Sequence, residues 1–306
     1  MRIKLFTNKI SVVCLALTVS LLWGTLFPMI KIGYGAFAID TARVSSIILF
    51  AGLRFFVSGI FLVTALCVRE KRVSLPQKGS ARAIVIISTL TVVLHYILTY
   101  TALSYIDSSK SSVLKQIGFL ILPCIIFLFR KDDRFSWRKA IAAVLGFIAV
   151  IVINIDGISL VFGIGEILII SASFTSALGQ VASKHYYDRF SPTPIVAWGQ
   201  LLGGAAMLGA GLIGGGGFGK FDLASFAVLA YVCTASIVAN LLWNTLIKYN
   251  DISSLAVLKS ADPLFASAFS ALLLSENVFK LSYLAALLLV VCAIALANAR
   301  RSRRSF

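Results

Sequence analysis

Charged residues are scarce in this chain. They make up 13% of its 306 residues, whereas 59% are hydrophobic; a soluble domain has about 25% charged residues. Acidic side chains are the rarest, with 12 Asp and Glu against 28 Lys and Arg, which gives a net charge of +16. So much apolar surface predicts a protein surrounded by lipid rather than by water. The positive charge falls in short runs between apolar stretches, which is typical of membrane orientation and argues against nucleic-acid binding.

Cysteine and histidine are also few, at five and two. Each cysteine lies in a different apolar stretch and none has a Cys-x-x-Cys spacing, so we expect small packing residues, no metal and no cofactor. The sequence contains no nucleophile triad and no pair of catalytic carboxylates, and we expect no enzymatic activity. Gly214 to Lys220 reads G-x-x-x-x-G-K, but Phe221 follows instead of Ser or Thr. We therefore expect no nucleotide binding there.

Long apolar stretches account for most of the chain. Most are close to the ~20 residues that a helix needs to cross a bilayer, and lipid forces such segments to be helical. The basic start before the first stretch is also typical of a signal peptide, but the stretch is long enough to span, so we expect a retained helix. The sequence predicts an all-α integral membrane protein with ten transmembrane helices, at about residues 10–31, 43–68, 82–104, 108–129, 138–155, 163–185, 193–214, 223–246, 252–274 and 279–299.

Lysine and arginine are distributed unevenly between the two sides of these spans. With the N-terminus inside, twenty basic residues fall on the inner side, five fall on the outer side, and Arg54, Lys115 and Lys259 lie within spans. Because basic residues concentrate on the cytoplasmic side, both termini are predicted to be cytoplasmic.

An internal repeat relates the two halves of the chain with a lag of 144 residues. Five spans per half force the halves into opposite orientations, an arrangement that places a substrate site at their interface. The sequence thus predicts two inverted five-helix repeats, residues 1–157 and 158–306. The matches are Asp107-Ser108-Ser109 with Asp251-Ile252-Ser253, Val113-Leu114-Lys115 with Val257-Leu258-Lys259, and Asp132 with Glu276.

Several short motifs stand in a fixed order along the spans. They are Trp23-Gly24 followed by Lys31, Leu53-Arg54-Phe55, Leu242-Trp243-Asn244, and the run from Asp262-Pro263 to Ser275-Glu276. Together they resemble the EamA-type family of the drug/metabolite transporter superfamily. The resemblance implies ten spans in two inverted repeats and the movement of small metabolites, mostly outward across a bacterial inner membrane. Lysines within spans four and nine depart from the common pattern, so the resemblance implies the transport class better than any one substrate.

The two lysines carry the substrate hypothesis. Lys115 and Lys259 each lie about eight residues into a span, roughly 12 Å deep at 1.5 Å per residue, where a charge costs on the order of 2.5–3.5 kcal/mol. Such a pair predicts a positive cavity that receives a carboxylate or phosphate. The sugar-phosphate translocators of the same superfamily are similar in using basic residues on the corresponding helices. Alternatively, Lys259 pairs with Asp262, and Lys115 reaches interfacial water or a carbonyl group.

Other candidate residues carry alternative roles. Asp262 could neutralise Lys259, titrate and couple transport to protons, or hold the amino group of a substrate. For Arg54 the resemblance favours a structural or gating role over direct ligation. His95 could pack by a hydrogen bond or serve a substrate or a proton. Tyr100 could cover an apolar part of a substrate.

Polar and aromatic residues near the inner ends of two helices complete the candidate site. Trp23 and Asn244 are expected in the substrate pocket, and Trp243 could be an interfacial anchor or a cavity wall. Asn244 and Asn240 stand one turn apart and could line the cavity or join helices. Pro123 and Pro263 are predicted to kink spans four and nine beside the lysines.

These observations predict a secondary transporter that exports a small polar metabolite with an acidic group across the inner membrane by alternating access. The alternatives are export of neutral or aromatic amino acids or drug-like compounds, with the lysines paired internally, and a membrane scaffold that transports nothing. The expected partners are a small-molecule substrate and membrane lipid, with protons as a candidate coupling ion. The sequence does not specify an oligomeric state.

Overall fold

Helices make up the secondary structure throughout the described part of the chain. The computed structural model describes residues 2–71, 75–118, 163–250, 261–277 and 281–298, and single helical positions at 141, 144, 145, 148, 149, 152, 255, 258 and 259. No strand occurs among them. The elements are α1 (Arg2–Thr7), α2 (Lys9–Ala36), α3 (Val44–Glu70), α4 (Ala81–Ser88), a π-helical stretch (Thr89–Leu94), α5 (His95–Leu103), α6 (Ser108–Lys115), α7 (Ile164–Tyr187), α8 (Pro192–Ile213), α9 (Leu223–Tyr249), α10 (Asp262–Leu274) and α11 (Leu281–Asn298).

Six of these stretches are long and apolar enough to cross a membrane, when Ala81–Leu103 is taken as one. They are α2, α3, Ala81–Leu103, α7, α8 and α9, and the shorter apolar helices are Asp262–Leu274 and Leu281–Ala293. The chain is therefore a multi-pass membrane protein. The ten-helix inverted repeat stays a prediction, because part of the chain lies outside the described residues. That part includes most of predicted span 138–155, Pro123, Asp132 and Asp251-Ile252-Ser253.

Glycines allow α3 and α8 to pack with their backbones almost in contact. A Cβ atom on Gly204 of α8 would lie 2.6 Å from the carbonyl carbon of Phe55 and 2.7 Å from Cα of Phe56. On the facing helix, a Cβ atom on Gly52 would lie 2.7 Å from Cα of Leu208. Real side chains do not approach a backbone so closely, so this helix pair requires glycine at the crossing.

Two helices are interrupted next to the membrane lysines. Helix α6 ends at Lys115, and Gln116 forms a turn before helical residues resume. In the second half, positions 258 and 259 are helical, Ala261 is in a turn, and α10 begins at Asp262. Pro263 thus lies in the first turn of α10, where its missing N–H group is not needed. Because residue 260 lies outside the described residues, the kink expected at Pro263 stays a prediction.

Candidate functional site

A cavity lies where α2, α5, α6, α7 and α9 meet Lys259 and the start of α10. Its volume of about 90 Å³ gives room for several water molecules or a small solute, since one water needs roughly 10–15 Å³ by this measure. On α7 and α9 the lining continues to Ser183 and Ile247, near the ends of both helices. Charged and polar lining residues are Arg54, Thr91, His95, Thr99, Ser112, Lys115, Gln116, Ser173, Ser176, Gln180, Ser183, Asn240, Asn244, Lys259 and Asp262.

Lys115 lines this cavity and lies against two aromatic rings. Among the described residues, no carboxylate oxygen is within ion-pair distance of its ammonium group. Its Nζ atom lies 5.0 Å from the ring centroid of Phe27 and 5.7 Å from that of Tyr96. These cation–π contacts stabilise the charge without neutralising it. The hydroxyl of Ser173 lies 2.8 Å from the carbonyl oxygen of Ile169 and 3.2 Å from that of Lys115, and its one hydrogen is shared between these two acceptors.

Lys259 lines the same cavity and is paired. Its ammonium group donates to a carboxylate oxygen of Asp262, three residues further along. The Nζ atom also lies 3.7 Å from the ring centroid of Trp23 and 5.4 Å from that of Trp243. Lys259 is 2% exposed, so the pair and its two tryptophans form a desolvated wall. The side chains of Asp262 and Lys259 thus neutralise each other.

Arg54 contributes a second cation that has no acidic partner in the described residues. Its side chain is fully buried in α3 and donates from Nε to the hydroxyl of Ser236 at 2.6 Å and from Nη1 to the hydroxyl of Tyr100 at 2.7 Å. The remaining nitrogen, Nη2, is buried without a hydrogen-bond partner. The guanidinium carbon lies 4.8 Å from the ring centroid of Phe55 and 5.3 Å from that of Tyr96.

His95 and Asn244 face the cavity with partly satisfied side chains. The Nδ1 atom of His95 lies 2.8 Å from the carbonyl oxygen of Ala172; because a carbonyl only accepts, Nδ1 carries the hydrogen and Nε2 is the acceptor of the neutral ring. Asn244 accepts from the hydroxyl of Tyr187 at 2.6 Å and donates to the carbonyl oxygen of Asn240 at 2.8 Å. Both side chains are therefore held in fixed orientations.

The structure brings seven of the eight predicted site residues to this one cavity, namely Trp23, Arg54, His95, Lys115, Asn244, Lys259 and Asp262. Tyr100 is not among the lining residues; it lies behind Arg54 and receives its hydrogen bond. Sequence reasoning did not select Phe27, Tyr96 or Gln116. Phe27 stands four residues after Trp23, a spacing that places both on one helix face. Gln116 directly follows Lys115 and donates to the carbonyl oxygen of Lys259 at 3.4 Å.

A second polar cluster connects α2, α6 and the segment after α10, at the end of the bundle where α6 begins. The carboxylate of Glu276 accepts the backbone N–H groups of Ser108 and Ser109 at 2.9 and 3.0 Å and the Ser109 hydroxyl at 2.7 Å. Lys31 of α2 lies 3.6 Å from the same carboxylate. Burial alone would raise the pKa of Glu276, but these hydrogen bonds and the charge of Lys31 together hold that pKa below its ordinary value. An anion at a helix N-terminus is favoured electrostatically.

No group of three His, Cys, Asp or Glu side chains in the described part of the chain is arranged to hold a metal ion. The polar chemistry of the cavity is therefore provided by cations, hydroxyls and amides, with Asp262 as the acid among the described lining residues.

Comparisons with known proteins match nearly the whole chain. The model of the EamA-like transporter family matches residues 10–155 and again residues 163–299. An uncharacterized transporter of Archaeoglobus fulgidus is 27% identical over 281 residues, which cover 90% of this chain and 82% of that protein. The uncharacterized transporter YvbV of Bacillus subtilis is 26% identical over 288 residues, which cover 92% of this chain and 89% of that protein.

A solved protein structure also has this fold. It covers 95% of this chain and 97% of its own, with a TM-score of 0.67 at 16% sequence identity. Since the family model accounts for most of the sequence, the chain belongs to the EamA-like transporter family.

Proposed function

We propose that this transporter moves a small polar metabolite with an acidic group, and that Lys115 receives that group. The observation that carries the proposal is the ammonium of Lys115, which lines the cavity and has no ion-pair partner among the described residues. An intramembrane cation with no counter-ion is costly, and an anionic solute would supply the missing charge. Lysine offers three donors to a carboxylate or phosphate.

The proposal includes the architecture and the direction of transport. Two inverted repeats, residues 1–157 and 158–306, each contribute five helices, and the solute binds between them and is released by alternating access. Residues from both halves of the chain line the cavity, and helices broken beside the two lysines are the kind of element that forms such sites. Export across the inner membrane, with both termini in the cytoplasm, follows from the family resemblance and from the distribution of Lys and Arg. Proton coupling through Asp262 is part of the same hypothesis.

A second candidate is export of a neutral or aromatic amino acid. The ion pair between Lys259 and Asp262 and the adjoining rings of Trp23 and Trp243, whose centroids are 5.6 Å apart, favour it. A zwitterion could place its amino group near Asp262 and an aromatic side chain against the indoles. The single carboxylate of such a zwitterion would pair with Lys115 or with Arg54 and leave the other cation without an anion, so we rank this candidate second.

A metabolite comparison tests the proposal. Cells with and without the protein are compared for small molecules inside and in the medium, and the deletion strain is complemented with the wild type, Lys115→Ala or Lys78→Ala. Lys78 is an exposed lysine and serves as the control. We expect an acidic metabolite to accumulate inside the deletion strain, and the wild type and Lys78→Ala to reverse this. Export by Lys115→Ala at the wild-type rate would remove Lys115 from the site.

A further inference from the structure

The cavity holds more positive charge than one carboxylate can neutralise. Its described lining contains the cations Arg54, Lys115 and Lys259 and the acid Asp262. The pair of Lys259 and Asp262 is neutral as a unit, which leaves the positive charges of Arg54 and Lys115 without an acidic partner in the described part of the chain. Desolvated charges require compensation, because the interaction with water that is lost on burial must be replaced.

Arg54 has the features of an anion subsite. Two of its nitrogens are fixed by the hydroxyls of Ser236 and Tyr100, and neither hydroxyl carries a negative charge. The third nitrogen, Nη2, is buried and unpartnered. The guanidinium is thus held in one orientation with a donor to spare, and a guanidinium binds oxyanions strongly.

Arg54 and Lys115 are close enough to serve one small solute. Both lie against the ring of Tyr96, with the guanidinium carbon 5.3 Å and the ammonium nitrogen 5.7 Å from its centroid. The two cations are therefore at most about 11 Å apart. The carboxyl carbons of a four-carbon dicarboxylate are about 4 Å apart. With an ion-pair contact at each end, such a molecule reaches between two cations that are separated by this upper limit. If the two cations are closer together, a single phosphate group contacts both.

We propose that Arg54 and Lys115 form a two-cation site for a doubly charged anion, namely a short dicarboxylate or a phosphate group. The inference rests on the proposed function, since it specifies the charge of the acidic solute placed there. Tyr100 acts as a positioning residue in this arrangement, because its hydroxyl fixes the guanidinium from behind. The uncharged lining beyond the cations, including Gln180 and Asn244, faces the remainder of the solute.

Binding of probe anions to the purified full-length protein tests the inference. The thermal unfolding midpoint is followed against the concentration of succinate, inorganic phosphate or butyrate at pH 7.5 and constant ionic strength. A ligand that binds the native state raises this midpoint. We expect at least one dianion to half-saturate the shift at a concentration at least about tenfold lower than butyrate, because a second desolvated ion pair is formed. Succinate carries its two charges on separate carboxylates and phosphate carries them on one group, so the comparison of the two shows which arrangement the site binds.

Two variants locate the site. Arg54→Gln should raise the half-saturating concentration of the dianion at least about tenfold and leave that of butyrate within about twofold, whereas Lys115→Gln should weaken both. Arg43→Gln removes an exposed arginine and should change neither. If Arg54→Gln fails to fold, Arg54→Lys retains one charge and Lys115→Gln still tests the location of the site. The comparison of dianion with butyrate in the wild type tests the charge of the ligand without any variant.

The outcomes separate this inference from the proposed function. If dianions and butyrate half-saturate the shift at equal concentrations, and Lys115→Gln abolishes the shift with both, the two-cation site is overturned and the proposed transport of an acidic solute stands. If neither dianion shifts the unfolding midpoint at about 50 mM, the two-cation site is also overturned. A shift with phenylalanine and with none of the three acids would overturn both proposals.

Discussion

Substitution of Gly204 by alanine tests the packing that positions Arg54. The new Cβ atom would lie 2.6 Å from the carbonyl carbon of Phe55 and 2.7 Å from Cα of Phe56, so α8 and α3 must separate by about 1 Å to restore ordinary contact. Overpacking of this kind costs typically about 1–3 kcal/mol, and we expect the upper part of that range because both sides of the contact are backbone. Arg54 directly precedes the residues that are pushed.

The matched control is Gly209→Ala on the same helix, where no atom lies within 4 Å of the added Cβ. Both variants gain the helix preference of alanine over glycine, about 1 kcal/mol, so their difference isolates the clash. Thermal unfolding of the detergent-purified proteins, followed by tryptophan emission, should give a midpoint several degrees lower for Gly204→Ala than for Gly209→Ala. Equal midpoints would refute the close approach of α3 and α8.

Two further predictions concern the carboxylates of Glu276, which is partly buried, and Asp262, which is buried. Glu276→Gln should lower the free energy of unfolding by about 1–2 kcal/mol at pH 7, whereas Asp40→Asn, in an exposed ion pair, should change it by less than about 1 kcal/mol. Because the pKa of Glu276 is lowered in the folded state, its contribution is present above the unfolded-state pKa of about 4.3 and is lost as the pH falls through the folded value; a Glu276→Gln difference that persists unchanged at about pH 3 would contradict this. Asp262→Asn should destabilise the protein by about 3–5 kcal/mol, because it leaves Lys259 buried and unpaired. The double variant with Lys259→Met should recover most of that loss, and failure to recover it would show that the ion pair is not the cause.

Much of the helical architecture could be predicted from the sequence, because lipid allows few alternatives for an apolar segment. The first span was expected at about residues 10–31, and α2 runs from Lys9 to Ala36. The pairing of Lys259 with Asp262 follows from a three-residue spacing, which is a local property. A proline in an apolar run has the same sequence pattern whether it kinks a helix or begins one, so the sequence did not indicate that Pro263 lies in the first turn of α10.

Contacts between distant segments could not be predicted. Tyr96 and Tyr100 stand one turn apart, yet Tyr96 lines the cavity and Tyr100 lies behind Arg54. The partners of Arg54 are 46 and 182 residues away along the chain, so its position depends on how three helices pack. Periodicity gives the face of a helix but not which neighbour covers it. Only the packed helices show that hydroxyl groups, and no acid among the described residues, surround the guanidinium of Arg54.

Solute counterflow in proteoliposomes is a direct test of anion transport through the site at Lys115. Vesicles are loaded with the metabolite found by the cell comparison, and entry of the labelled metabolite is measured for the wild type, Lys115→Ala and Lys78→Ala. We expect the metabolite to be anionic, and the wild type and Lys78→Ala to show rapid counterflow. Lys115→Ala should be folded and inserted but show no counterflow. Wild-type counterflow by Lys115→Ala, or a transported metabolite with no acidic group, would contradict it.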